Sequence, residues 1–339
     1  MTNNLRKLIY LLSDGDVHSG AVLGQKLGVT RAGVWKLVKQ LEALDIPITK
    51  KTNRGYQIPG GLELLNIEKI MNALPVDIAT IADIIIEQTV SSTNDYLLRH
   101  QLPNSKQFSV CIAEKQTAGR GRLGRKWYSP YGQCLILSLR WCFPGNSNEL
   151  SGLSLAMALA VVHTLKDLGQ MPENLRLKWP NDIFCTKKLG GILIDMQGEM
   201  NGNTTIVIGI GLNISMPSIA SEIIKTTWTD LESVLNEKPS RNKLAAKLIE
   251  EIIKVLKTFE KEGLRPFKEA WMTYDISFGH PVSIQTNNTT IKGIGRSIDS
   301  KGNFLIEESS SGKIVSYGSG DVSLLLNEGV LLNSEDVSK

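Results

Sequence analysis

The 339-residue sequence has only four histidines, all scattered, and its four cysteines (Cys111, Cys134, Cys142, Cys185) form no Cys-x-x-Cys pair. A tetrahedral metal set, a disulfide framework and a His-based triad therefore have nothing to stand on, and buried free thiols are expected. Long apolar runs are lacking too. The longest, around Leu153–Leu165, contains Ser154 and His163 and is too short for a bilayer. The Leu8–Leu12 cluster leads into Ser13-Asp14-Gly15-Asp16 rather than a cleavage site. These absences predict a cytoplasmic chain with no membrane partner, long enough for two or three domains.

Charge is present in an uneven way. Residues 1–62 hold nine Lys/Arg against four acids, and the remaining residues hold 29 against 30. A basic head on a neutral body predicts that the head meets a polyanion. Leu5, Leu8, Ile9 and Leu12 have helical spacing; Ser19 caps a short helix with Val22, Leu23 and Leu27 on one face. Gly28-Val29-Thr30 turns into a third helix whose buried stripe is Val34, Leu37, Val38, Leu41 and Leu44. Its other face carries Arg31, Trp35, Lys36 and Lys39. Ile46–Ile58 folds as two short strands around Lys50, Lys51 and Arg54. These are the parts of a winged helix-turn-helix, with Arg31 and Trp35 near base edges and the lysines and wing on phosphates.

Ile58-Pro59-Gly60-Gly61 is the clearest linker. Beyond it, strands are expected at Ile84–Ile86, Ser109–Ala113, Cys134–Trp141, Leu175–Lys178, Gly190–Gln197 and Thr204–Ile214. Helices are expected at Asn94–His100, Glu149–Leu168 and around Leu244–Phe259. After Trp271, short strands separated by Asn, Gly and Ser predict a small all-β barrel. The domain boundaries follow as 1–62, 63–275 and 276–330.

The densest chemical signal is Glu114–Trp127, with Gly119, Gly121 and Gly124 among Lys115, Arg120, Arg122, Arg125 and Lys126. Such a loop repels itself unless an anion joins it. Gly119–Gly124 matches G-x-G-x-x-G literally, but Lys126-Trp127-Tyr128-Ser129-Pro130 is a poor helix start, so a dinucleotide fold is rejected. A Walker A loop is absent.

Five motifs occur in the order found in biotin–protein ligases: Ser92-Thr93-Asn94, Gly119–Trp127, Lys178-Trp179-Pro180-Asn181-Asp182, Lys188-Leu189-Gly190-Gly191-Ile192-Leu193 and Gly209-Ile210-Gly211-Leu212-Asn213. With the winged head, the chain resembles the bifunctional biotin ligases and biotin operon repressors. It departs from them at Ser91, where an acid is common, and in a short Asp182–Lys188 segment.

The resemblance implies an α+β protein: winged head, mixed α/β ligase domain of the biotin/lipoate type, and an SH3-like β-barrel. It implies formation of biotinyl-5′-AMP from biotin and Mg²⁺-ATP, with the metal carried by the nucleotide rather than a protein cage. Biotin then passes to a lysine of the biotin carboxyl carrier protein of acetyl-CoA carboxylase. The adenylate would favour a homodimer on operator DNA of biotin synthesis genes. Ser92, Thr93, Asn94 and Gln116 would line the biotin pocket, with Gly190, Gly191 and Ile192 as one wall and Gly119, Gly121, Arg125 and Trp127 closing over it. Lys188, Arg120 and Arg122 would neutralise the phosphate, Asp182 would orient a cation, and Asn213 and Trp228 would face the adenylate. Ligation-free biotin sensing and lipoate ligation are the competing readings.

Overall fold

Three hydroxyls set out the head. Thr2, Ser19 and Thr30 accept the backbone N–H of Leu5, Val22 and Gly33, capping α1 (Asn3–Leu12), α2 (Gly20–Leu27) and α3 (Arg31–Glu42). Gly28, at φ 65°, ends α2 in a conformation that disfavours a side chain. The hairpin β1 (Thr49–Lys51) and β2 (Gly55–Gln57) follows. The computed structural model describes residues 2–144, 150–200, 203–286, 289–325 and 331–332.

The buried stripe of α3 is Val34, Val38 and Leu41, while Leu37 and Leu44 are only half-buried at its rim. Val22 is exposed, contrary to the expected face. The inner side of α2 is made by Gly20, Leu23, Gly24 and Leu27, and a Cβ on Gly24 would stand 2.8 Å from the Val29 carbonyl. The helix is pressed in by its glycines. Ile58–Gly61 is a docked turn rather than a free linker: Leu62 donates its N–H to Ser13, and Lys238 donates to Gly61. Leu62 and Tyr131 complete the head's core.

In the body, α4 (Ile67–Ala73) and α5 (Val76–Ile81) lead into β3 (Ala82–Glu87), followed by α6 (Thr93–Arg99), β4 (Phe108–Ala113), β5 (Cys134–Pro144) and α7 (Leu153–Asp167). Then come β6 (Leu175–Lys178), β7 (Asp182–Cys185), β8 (Lys187–Met200) and β9 (Asn203–Asn213). The sheet order is β3-β4-β5-β9-β8-β7-β6. Strand β7 was not expected; it fills the short Asp182–Lys188 segment and turns at Thr186, φ 61°. The start of the expected helix at Glu149 lies outside the described residues.

Alternation divides the sheet's two faces. Leu135, Leu137, Leu139, Ile208, Ile210 and Leu212 point to the core, beneath α7 and the long α10. Ser138, Gly191, Gly209 and Gly211 point the other way, where α6 lies. Two short helices, α8 (Ala220–Ile223) and α9 (Leu231–Leu235), precede α10 (Arg241–Glu262), which is capped by Ser240 and stopped by Gly263. After α11 (Lys268–Tyr274), the tail is an antiparallel sheet of β10 (Pro281–Gln285), β11 (Thr290–Ile298), β12 (Phe304–Glu308), β13 (Ile314–Tyr317), β14 (Asp321–Leu325) and β15 (Leu331–Leu332), ordered β13-β12-β11-β10-β14-β15. Strand β13 was not expected, and residue 330 lies outside the described residues. Cys111, Cys134 and Cys185 are buried thiols as expected, but Cys142 is exposed.

A buried ion pair joins these parts. Glu114 accepts from Arg241 at 2.7 Å and from the Leu65 N–H at 2.6 Å, while Arg241 also donates to the carbonyls of Cys134 and Glu63. Both side chains are almost fully buried. Removing one partner strands the other charge in the core. Glu114→Ala is therefore expected to cost about 3–5 kcal/mol in urea unfolding. The Glu114→Ala/Arg241→Met double substitution should recover most of that loss.

Candidate active site

The glycines of β8 and β9 pave a floor. A Cβ on Gly211 would stand 2.7 Å from the Trp127 indole, and one on Gly191 would stand 3.4 Å from Asp182 Oδ1 and 3.7 Å from the same indole. A Cβ on Gly209 would fall 2.3 Å from Asn94 Oδ1. Gly209-Ile210-Gly211 thus alternates site, core, site along one strand. A Cβ on Gly190 would face Leu212 and Ile183, and the Ile192 side chain is core, so any wall from these two is backbone, while a Cβ on Gly191 would face Asp182 and Trp127.

At one end of the floor, Ser92 caps α6 by accepting from the Asp95 N–H. Thr93 donates its N–H and hydroxyl to Gln116 Oε1 at 2.8 and 3.1 Å. Ser138 donates to either Thr93 Oγ1 (2.7 Å) or Asn94 Oδ1 (2.5 Å), and Asn94 donates to Asp195 at 2.9 Å. The buried polar groups form a continuous network, which fixes their rotamers. Arg120 reaches Asp95 (2.6 Å) and Asp195 (2.7 Å), clamping α6 to β8. It is committed to these two carboxylates rather than to the Lys188–Asp182 pair.

At the other end, Lys188 Nζ lies 2.8 Å from Asp182 and 5.8 Å from the Trp127 ring centroid. Burial opposes ionisation of Asp182, but Lys188 and Lys178 outweigh it and hold the carboxyl below its ordinary value. Arg125 pairs with Asp321 of β14, and Arg122 Nη1 is 3.7 Å from the same carboxylate. Burial pushes the Arg122 pKa down, with Asp182 pulling it back. Arg122 Nη1, Arg125 Nε and Trp127 Nε1 are buried without a hydrogen-bond partner among the described residues. Buried donors left unsatisfied suit an incoming anion.

The loop turns back on itself, with Gly121 donating to the Arg125 carbonyl and Trp127 to the Gly119 carbonyl. No helix follows it, in keeping with rejection of the dinucleotide motif. Beyond the floor, Asn213 donates to the Thr229 carbonyl at 2.9 Å, and Thr229 donates to the Lys188 carbonyl. Trp228 stands beside them on an open groove of about 490 Å³ with Lys187, Lys225 and Ser221. Asp95, Asp195, Ser138 and Asp321 were not singled out in the sequence. Only Asp195 had a usable signal, being spaced by twos from Gly191 along β8.

On the head, Arg31, Trp35, Lys36 and Lys39 are exposed on α3, and Lys50, Lys51 and Arg54 on the hairpin. Lys39 is paired with Glu42 at 2.6 Å. Lys115, at the foot of the loop, reaches Asp45 of the head at 2.7 Å, and Gln133 donates to the Asp45 carbonyl.

Comparison with known proteins places this arrangement. Residues 85–213 match the biotin/lipoate A/B protein ligase family, 4–57 an HTH domain and 277–325 the biotin protein ligase C terminal domain. The bifunctional ligase/repressor BirA of Escherichia coli (strain K12) is 37% identical over 320 residues, covering 94% of this chain and 96% of its own length. The chain belongs to the family of bifunctional ligase/repressor proteins. The Bacillus subtilis (strain 168) member is 29% identical over 314 residues, covering 91% of this chain and 95% of its own length. Among solved structures, the biotin protein ligase from Aquifex aeolicus in complex with biotin and ATP aligns with TM-score 0.60 at 29% identity, covering 72% of this chain and 98% of its own.

The Trp127–Gly211 contact gives a test of how the loop is seated. Gly211→Ala forces the indole off the floor, so tryptic cleavage within residues 120–126 should quicken about tenfold at an unchanged thermal midpoint. Unaltered cleavage would mean that the floor does not hold the loop.

Proposed function

We propose that this chain activates biotin with ATP, passes it to a lysine of the biotin carboxyl carrier protein of acetyl-CoA carboxylase, and represses biotin synthesis genes through its head. The observation that carries the reading is the cluster of Lys188, Arg122 and Arg125 around Asp182 and Asp321, beside the Trp127 indole on its glycine floor and a pre-formed polar network. One end is built for an uncharged polar ring, and the other for phosphate.

In the first step a carboxylate oxygen of biotin bonds to the α-phosphorus of ATP. The bond to the β-phosphate breaks, and its electron pair leaves on pyrophosphate. The attacking carboxylate is already ionised, so the chain needs no general base. Its task is to hold two anions against each other. Lys188 and Arg122 neutralise the reacting phosphate, and Arg125 and Trp127 shut the site as the loop closes. Ser92, Thr93, Asn94 and Gln116 orient the ureido ring and tail, with Gly119 and Gly121 letting the loop's backbone come close. Arg120 acts from its clamp on α6 and β8. Asn213 and Trp228 face the adenosine.

Mg²⁺ would come bound to the phosphates of ATP and supply charge neutralisation there, and Asp182 would be the carboxylate that holds it. In the second step the carrier lysine's nitrogen bonds to the acyl carbon, the bond to the phosphate oxygen breaks, and AMP leaves as the amine gives up a proton.

The work divides along the chain, with residues 1–62 on DNA, 63–275 for ligation and 276–330 as a barrel that meets the loop through Asp321. A cytoplasmic setting suits these partners, and no helix among the described residues is long and apolar enough to cross a membrane. Dimerisation on adenylate binding has a surface to use. β7 pairs with β8 only over Lys187–Gly191, and beyond it no strand among the described residues covers that edge. Lipoate ligation is disfavoured by the attached head, and ligation-free sensing by the intact Lys188.

Lys188→Ala should slow adenylation by about two orders of magnitude, measured by pyrophosphate release, while weakening biotin binding far less. Equal losses would contradict a transition-state role. In gel shifts, biotin plus ATP should tighten operator binding, and Arg31→Ala should weaken it at normal ligation rates. Operator affinity indifferent to biotin plus ATP would remove the regulatory half.

A further inference from the structure

Lys178, the last residue of β6, is only 3% exposed. It stands across the β6–β7 hairpin from Asp182, yet that carboxylate is taken by Lys188 at 2.8 Å. The Lys178 ammonium has no hydrogen bond or ion pair among the described residues; it lies over the Phe184 ring, 5.4 Å from Nζ to centroid. Of the carboxylates in this cationic region, Asp182 pairs with Lys188, and Asp321 with Arg125 and, at 3.7 Å, Arg122, so neither makes an ion pair with Lys178. Burial pulls the Lys178 pKa down to about 8, with Lys188 and Arg125 adding to the effect against Asp182. The group is still mostly charged at neutral pH. A buried, unpaired ammonium is unfavourable in the free protein, and a methionine would fill the same space without that penalty. An arriving anion is what makes such a residue useful.

Position gives the anion's identity. Gly191 of the floor has Asp182, Lys188 and Trp127 around it, and Lys178 stands across the hairpin from Asp182, within the fields of Lys188 and Arg125, the latter paired with Asp321 of the barrel. We propose that Lys178 is a catalytic residue for the leaving group: it contacts the β- and γ-phosphates of ATP and stabilises the pyrophosphate as the acyl-adenylate bond forms. Lys188 keeps the α-phosphate. The assignment rests on the ligase reading and deepens it, since it predicts a role in the first step and none in the second.

The test uses the full chain with Lys178→Met and Lys178→Gln, the latter kept in case the apolar variant folds poorly. Four quantities are measured: thermal midpoint, affinity for biotin alone, single-turnover adenylation with Mg²⁺-ATP, and transfer from synthetic biotinyl-5′-adenylate to a carrier domain. Inhibition by inorganic pyrophosphate is read beside them. Both variants should fold, bind biotin and transfer from the preformed adenylate within about threefold of the parent, while adenylation falls about 100-fold. Pyrophosphate inhibition should weaken about tenfold. Lys178→Arg should restore part of both losses. Adenylation and pyrophosphate inhibition left near the parent's values would overturn the assignment, as would an equal loss in transfer from the preformed adenylate. A parent that makes no adenylate at all would instead remove the ligase reading itself, before any variant is compared.

Discussion

Where β4 ends and the cationic loop begins, a carboxylate and a guanidinium meet in the dark interior of the body. Glu114 stands where β4 gives way to the loop, and Arg241, from the first turn of α10, holds it. The same guanidinium binds the carbonyl of Cys134, where β5 starts, and that of Glu63, where the chain leaves the head. One pair of charges therefore fixes both stems of the loop and the entry to the body. A pair this deeply buried adds little net stability over an apolar substitute, so its worth lies in position.

Beyond that anchor the loop is held lightly. Its cations are matched by carboxylates contributed from other elements: Asp95 and Asp195 for Arg120, Asp321 for Arg125, and Asp45 for Lys115. Partly exposed pairs of this kind contribute about 0–1 kcal/mol each. A loop closed by such contacts can trade a carboxylate for a phosphate at small cost, whereas a loop fixed by apolar packing could not. An apolar contribution, Trp127 on Gly211 and Gly191, gives the closed form one defined seat.

The sequence and the structure agree where local rules apply. Ser19, Thr30 and Ser240 are caps because a hydroxyl before an apolar stripe has few other uses. The Gly-Ile-Gly of β9 lies where a period of two must send glycine to one face and isoleucine to the core. The glycine-and-arginine loop is legible because so many like charges need an external partner. What was not legible depends on distance along the chain. Asp321 lies 196 residues from Arg125, and nothing in its surroundings announces it. The docked Ile58–Gly61 turn has linker composition, and its bonds to Ser13 and Lys238 come from other parts of the fold. Val22 went astray because Gly20 and Gly24 pull α2 inward through backbone contact, which apolar patterning does not register.

The turn after α3 lies against both stems of the loop. Asp45 takes Lys115 on one stem and Gln133 on the other, and the Leu44 carbonyl accepts the N–H of Tyr131, whose ring is packed into the head's own core. Head and body are consequently not interchangeable parts joined by a tether. Exchange of this head for another DNA-reading module would leave the ligase stems facing a foreign surface, so the head and the ligase body of this chain are fitted to each other.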